Sequence, residues 1–146
     1  MAMSSLRAPA ARDSAGVDAA LLILRLTLGG LILVHGLSKL PPPPTFIIGV
    51  LAKANLPEVL AYGIYIGEIV APVLLIIGVW TRLAAAVIAI NMVFAVALVA
   101  LPQLFKLNQY GGYALEVEAM YLLTAVALML TGAGRFSVGG RYGPLN

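Results

Sequence analysis

Four long apolar runs, over about 19–38, 58–80, 83–101 and 113–131, leave almost none of this chain from which to build a soluble core. A bilayer core about 30 Å thick is crossed by about 20 residues of helix, and each run is close to that length. Backbone exposed to hydrocarbon must satisfy its own hydrogen bonds, so runs of this length cross as helices. Hydrophobic residues make up 62% of the chain and charged residues only 10%, which fits an integral membrane protein. The expected fold is all-α: one membrane domain over 1–146, a four-helix bundle with a tail at 1–17 and another at 132–146.

Arg7 and Arg12 precede the first run as they would in a signal peptide. The run is too long for such a segment and lacks a small-residue cleavage signature, so it reads as an uncleaved anchor. Near the span ends, Arg7, Arg12, Arg82, Arg135 and Arg141 fall on one side and Lys39, Lys53 and Lys106 on the other. That asymmetry predicts both termini on the cytoplasmic side of a bacterial inner membrane. The basic residues are scattered over helix ends, and lipid headgroups rather than nucleic acid are their expected partners. Tyr62, Tyr65, Tyr110, Tyr113 and Trp80 near the span ends match an aromatic belt.

Pro41 to Pro44 cannot continue the first helix and favour an extended stretch. Phe46, Ile47, Val50, Leu51 and Ala54 then recur at helical spacing up to Pro57. This segment is too short to span, and a short interfacial or re-entrant helix is expected there.

The few ionisable residues inside the spans need a physical reason to be there. A charge in hydrocarbon costs at least about 2.5 kcal/mol, so such groups face the bundle interior, pair with one another and mark functional sites. Arg25, Gly29, Ile32, Gly36 and Lys39 share one helical stripe, with His35 on its flank; the glycines suit close helix packing, and Lys39 is placed to snorkel. Glu68 is followed four residues later by Pro72, which has no N–H for the carbonyl of residue 68. A kink is expected, with Glu68 carrying an extra unsatisfied acceptor. Arg25 and Asn91 are its candidate partners by depth. Glu116 and Glu118 lie about 200° apart around a helix and cannot share one narrow seam.

Counting about 1.5 Å per residue from the inner end puts Asn91 at roughly 13 Å, Glu68 at 18 Å, Glu116 and Glu118 at 20 Å and His35 at 25 Å. The polar groups thus gather in the outer half. Carboxylates that share one desolvated site make proton handling available.

The chain contains no cysteine, which removes thiolate metal sites and cysteine-relay redox chemistry. With one histidine, bis-histidine haem ligation within the chain is impossible, and His/Met ligation would need one of five methionines opposite His35. No metal-ligand spacing or phosphate loop stands out, and no metal site is expected.

At these residues the chain resembles the DoxX family of small four-helix membrane proteins. Arg25 lies ten residues before the His of an HG-x-x-K motif, here His35, Gly36 and Lys39. Glu68 precedes a Gly-x-x-Thr-Arg helix end at Gly78, Thr81 and Arg82, and Gly111, Gly112 and Tyr113 lead to the acidic pair Glu116 and Glu118. The segment from Gly132 to Ser137 completes the pattern. Pro72 stands where members often have glycine, two extra residues separate Tyr113 from the acidic pair, and Gly139 replaces a common aspartate.

The resemblance implies the membrane subunit of an oxidoreductase system, similar to that of thiosulfate:quinone oxidoreductase. In that reading His35, Glu68 and Glu116 are the catalytic candidates, and Arg25, Lys39, Asn91 and Glu118 hold a quinone. Electrons would come from another membrane or soluble subunit, since this chain offers no redox centre of its own. Two other functions fit the same residues: an assembly subunit in which the charges fix the packing, and a small transporter or channel built as a homo-oligomer.

Overall fold

The computed structural model describes residues 11–40 and 44–146. Five helices carry the fold: α1 (Ala11–Leu37), the short α2 (Thr45–Lys53), α3 (Glu58–Ile77), α4 (Thr81–Gln103) and α5 (Glu116–Thr131). No strand occurs among the described residues, only an isolated bridge between Leu107 and Tyr113.

Among the described residues, three helices are long and apolar enough to cross a membrane: Ala15–Leu37 within α1, then α3 and α4. The helix expected over 113–131 begins only at Glu116, leaving α5 with 16 residues, or about 24 Å. The reason lies in the preceding loop. Asn108 Oδ1 accepts from the backbone N–H groups of Tyr110 (2.9 Å) and Gly112 (3.0 Å), and the Tyr113 hydroxyl donates to Leu104 O (2.8 Å). These bonds hold Tyr113 in the turn.

At the other end of the chain, α1 is helical from Ala11 onward among the described residues, so part of the segment expected as a tail is helical. The second run stops at Ile77 because Gly78 adopts φ +78, a left-handed cap that bonds back to Leu74 O at 2.9 Å. The expected short helix after the first span is α2. The extended stretch expected over Pro41 to Pro44 lies outside the described residues except for Pro44.

The core is shared by α1 (Leu28, Ile32), α3 (Ala71, Leu75), α4 (Ala84, Ala85, Ile88, Ala89) and α5 (Ala125, Leu128). Alanine on α4 lets backbones approach, which is how helices associate where lipid supplies no hydrophobic drive. The outer faces are apolar too, with Ile23, Val34, Ile90, Phe94, Leu123 and Leu130 all more than half exposed. That inversion suits a lipid environment and not water.

Polar contacts of Arg25, Asn146, Arg82 and Asp18 fasten one end of the bundle. At the end where α3 turns into α4, Arg25 donates to Leu75 O (2.9 Å), Ile76 O (3.0 Å), Ala133 O (2.6 Å) and Phe136 O (3.0 Å). It therefore caps the end of α3 and ties down the segment after α5. Asn146 Oδ1 accepts from Thr81 N–H (2.9 Å) while its Nδ2 donates to Gly78 O (3.1 Å) and Gly140 O (2.8 Å). Arg82 bridges Asn146 O and Leu130 O, each at 2.9 Å. Asp18, fully buried, accepts from Arg141 (2.6 Å) and Arg135 N–H (3.0 Å). The hydrogen bond to Asp18 raises the Arg141 pKa further above its ordinary value.

Candidate binding site

Toward the opposite end, α3 departs from α-helical winding over Ile66–Val70, where Ala71 N–H reaches back to Ile66 O in a π turn. Pro72 is the cause on its C-terminal side, since it cannot donate to the carbonyl of Glu68. Close approach of α1 and α4 then frames this turn. A Cβ on Gly36 would fall 2.8 Å from the Glu68 Cβ and carbonyl carbon, and one on Gly67 would fall 2.7 Å from the Asn91 side chain. Only glycine allows helices this near.

Glu68, 4% exposed, is thereby placed between Lys39 and Asn91. Lys39 Nζ donates to Glu68 Oε1 (2.6 Å) and Oε2 (2.5 Å), and Asn91 Nδ2 donates to Oε1 at 3.4 Å. Asn91 is the expected partner. Arg25 is not, because the main-chain carbonyls at the α3 end consume its donors; the counter-ion is Lys39, which folds back from the turn after α1 instead of snorkelling outward. Pairing offsets the desolvation of both charges.

Beside this pair lies a cavity of about 660 Å³. Its wall is mostly aliphatic, interrupted by His35, Lys39, Glu68, Asn91, Glu118 and Tyr121. Volume and lining are those of a small-molecule site, apolar with a few convergent polar groups. Both π turns of the molecule's described residues border it, Ile66–Val70 on α3 and Val96–Ala100 on α4. Such turns concentrate at functional sites.

The sequence candidates therefore divide. His35, Lys39, Glu68, Asn91 and Glu118 share the cavity. Arg25 belongs to the opposite end, and Glu116 is exposed, turned toward the loop, with Asn108 Nδ2 at 3.4 Å from its Oε1. The α2 residues Phe46, Ile47, Val50 and Leu51 complete the wall, a contribution that apolar spacing alone did not assign.

The family model DoxX matches residues 20–101, more than half of the chain and every helix that contributes to the cavity except α5. The chain belongs to the DoxX family. It is similar to a protein of Bacillus subtilis (strain 168) named "Putative oxidoreductase CatD", at 32% identity over 112 residues, covering 77% of this chain and 78% of that one. No solved structure matches. This DoxX protein is thus a multi-pass membrane protein, and the Lys39–Glu68 pair, together with Asn91, falls inside the matched segment.

Proposed function

We propose that this protein is the membrane subunit of an oxidoreductase system and binds a quinone or quinol in the cavity beside Glu68. The observation that carries the reading is the cavity itself: about 660 Å³, aliphatic over most of its wall, with Lys39, Glu68, Asn91, His35 and Glu118 converging on it. The description of the Bacillus subtilis relative supports the oxidoreductase part.

In this reading α1, α3, α4 and α5 form a four-helix membrane bundle. Met120, Leu123 and Leu130 on α5 face outward as lipid-contacting residues do, and the arginine-rich end faces the cytoplasm. A bound quinone supplies a centre that takes up two electrons and two protons. Lys39 and Asn91 are donors able to orient a carbonyl oxygen, and the His35 imidazole is a third polar group facing the same space. Glu118, in the first turn of α5, adds a carboxylate to the cavity wall. The electrons come from a partner, a second membrane subunit or a soluble donor, because the chain has neither cysteine nor a second histidine with which to build a redox centre.

The test is quinone binding to the purified full chain in nanodiscs, followed by quinone reduction once candidate partners are added. Glu68→Gln and His35→Ala should each weaken binding about tenfold, a loss of one charge-assisted contact. Unchanged binding in both folded variants would overturn the assignment. A second reading, an assembly subunit, draws on the tight Lys39–Glu68 pair. It predicts loss of folding in Glu68→Gln and no quinone binding by the wild type.

A further inference from the structure

A second depression lies against the cavity. Four of its lining residues, Phe46 and Val50 on α2 and Leu98 and Val99 on α4, also line a shallower groove of about 420 Å³. Lys53, Ala54 and Ala97 form the rest of that groove. The groove therefore abuts the cavity, with these four residues as their common wall between α2 and the last turns of α4.

Its chemistry changes in one direction. Charge and amide groups converge at the inner end, the shared middle is wholly apolar, and at the outer end Lys53 alone among the groove residues carries charge. The π turn Val96–Ala100 widens α4 at this point, and the small side chains of Ala97 and Ala100 take little of the space gained. Phe46 is 67% exposed and Val99 42%, so the groove lies open at the outer surface of the bundle. A compact polar solute would fill the inner cavity and leave the groove unused; a molecule with a polar ring and a long apolar chain matches both parts.

We propose that cavity and groove are one two-part site for a membrane-resident amphiphile, its oxygen-bearing ring at Lys39, Glu68 and Asn91 and its isoprenoid-type tail between α2 and α4. This rests on the quinone reading above and adds the tail as a recognised part of the ligand, so that the substrate class is a long-chain quinone and not a small soluble one. The ligand enters sideways from the lipid, without crossing the aqueous loops.

The experiment compares menadione with its four-isoprene counterpart on the full chain in nanodiscs, with affinities expressed per lipid so that partitioning cancels. Ala97→Trp should weaken the tailed quinone about tenfold and change menadione by less than about twofold, since only the apolar chain loses its bed. A tailed quinone carrying a photoreactive group midway along the chain, used on the wild type, should label residues 46–54 and 97–99. That second measurement needs no variant to fold. Equal effects of Ala97→Trp on both quinones, or labelling confined to other segments, would overturn the tail site while leaving the cavity reading intact, and would identify the groove as a bed for bulk lipid. A wild type that binds neither quinone removes the cavity reading, and the tail site with it.

Discussion

Gly36 lies so close to the main-chain carbonyl of Glu68 that no side chain fits between them, and this is the carbonyl that Pro72 leaves without its helical donor. The contact fixes α1 against the π turn of α3 and sets the height at which Lys39 meets Glu68. A Cβ here must push the helices apart, and overpacking of this kind costs about 1–3 kcal/mol. Gly36→Ala should accordingly lower the thermal midpoint in detergent. Gly30→Ala, where nothing lies within 4 Å of the added atom, should not. Equal melting of the two variants would contradict the packing described.

The Lys39–Glu68 pair is expected to behave as a coupled unit. Lys39→Met strands a carboxylate that is 5% exposed and should destabilise more than Glu68→Gln, which leaves an amide able to keep some bonds. A double-mutant cycle should return a coupling of about 0.5–3 kcal/mol, and additive losses would mean that the pair does not form.

Arg25 bonds to four main-chain carbonyls, and a lysine cannot reproduce that fan of donors. Arg25→Lys and Arg25→Gln are both predicted to lose about 3 kcal/mol or more, the cost of several buried acceptors left unsatisfied. Chemical denaturation in mixed micelles measures it. Quinone affinity in whatever fraction stays folded should be close to wild type, because Arg25 is remote from the cavity; a specific loss of affinity would return Arg25 to the site.

The absence of cysteine makes single-cysteine labelling direct. Glu116→Cys, on the exposed loop side, should react several-fold faster with a water-soluble maleimide than Glu118→Cys, following exposure of the thiolate. Added long-chain quinone should protect position 118 and leave position 116 unchanged. Protection at 116 alone would reverse the assignment of the two glutamates.

Asp18 holds the segment after α5 through Arg135 N–H and Arg141. Asp18→Ala should free both arginines, and trypsin should then cut after Arg135 and Arg141 several-fold faster than in the wild type, as local opening becomes less costly. Unaltered cleavage would show that Arg25 and Asn146 suffice to hold the segment.

Much of this architecture can be read from residue order, for identifiable reasons. Apolar runs announce four helices, three of which are long enough to cross a bilayer among the described residues, and Pro72 announces distortion at Glu68 because a missing N–H is a local fact. The stripe from Arg25 to Lys39 correctly marks one face of α1, and it extends two turns back to Asp18, a signal hidden by counting spans from residue 19. Partnership is less legible. Depth alone cannot separate Arg25 from Lys39 as the Glu68 counter-ion, since both side chains are long and the choice depends on which carbonyls the segment after α5 brings to Arg25. The start of α5 was equally obscured, because Asn108, eight residues upstream of Glu116, decides it through loop bonds that no periodicity expresses.

The bonding of Arg25 also orders events during synthesis. All four of its acceptors lie downstream, two at the end of α3 and two after α5. When α1 first enters the membrane its arginine has none of them, and α3 brings only half. The helices can therefore be inserted one after another, but the protein becomes a settled structure only after the segment following α5 has left the ribosome and closed over Arg25. An unfinished chain carries an unmet charge within the bilayer.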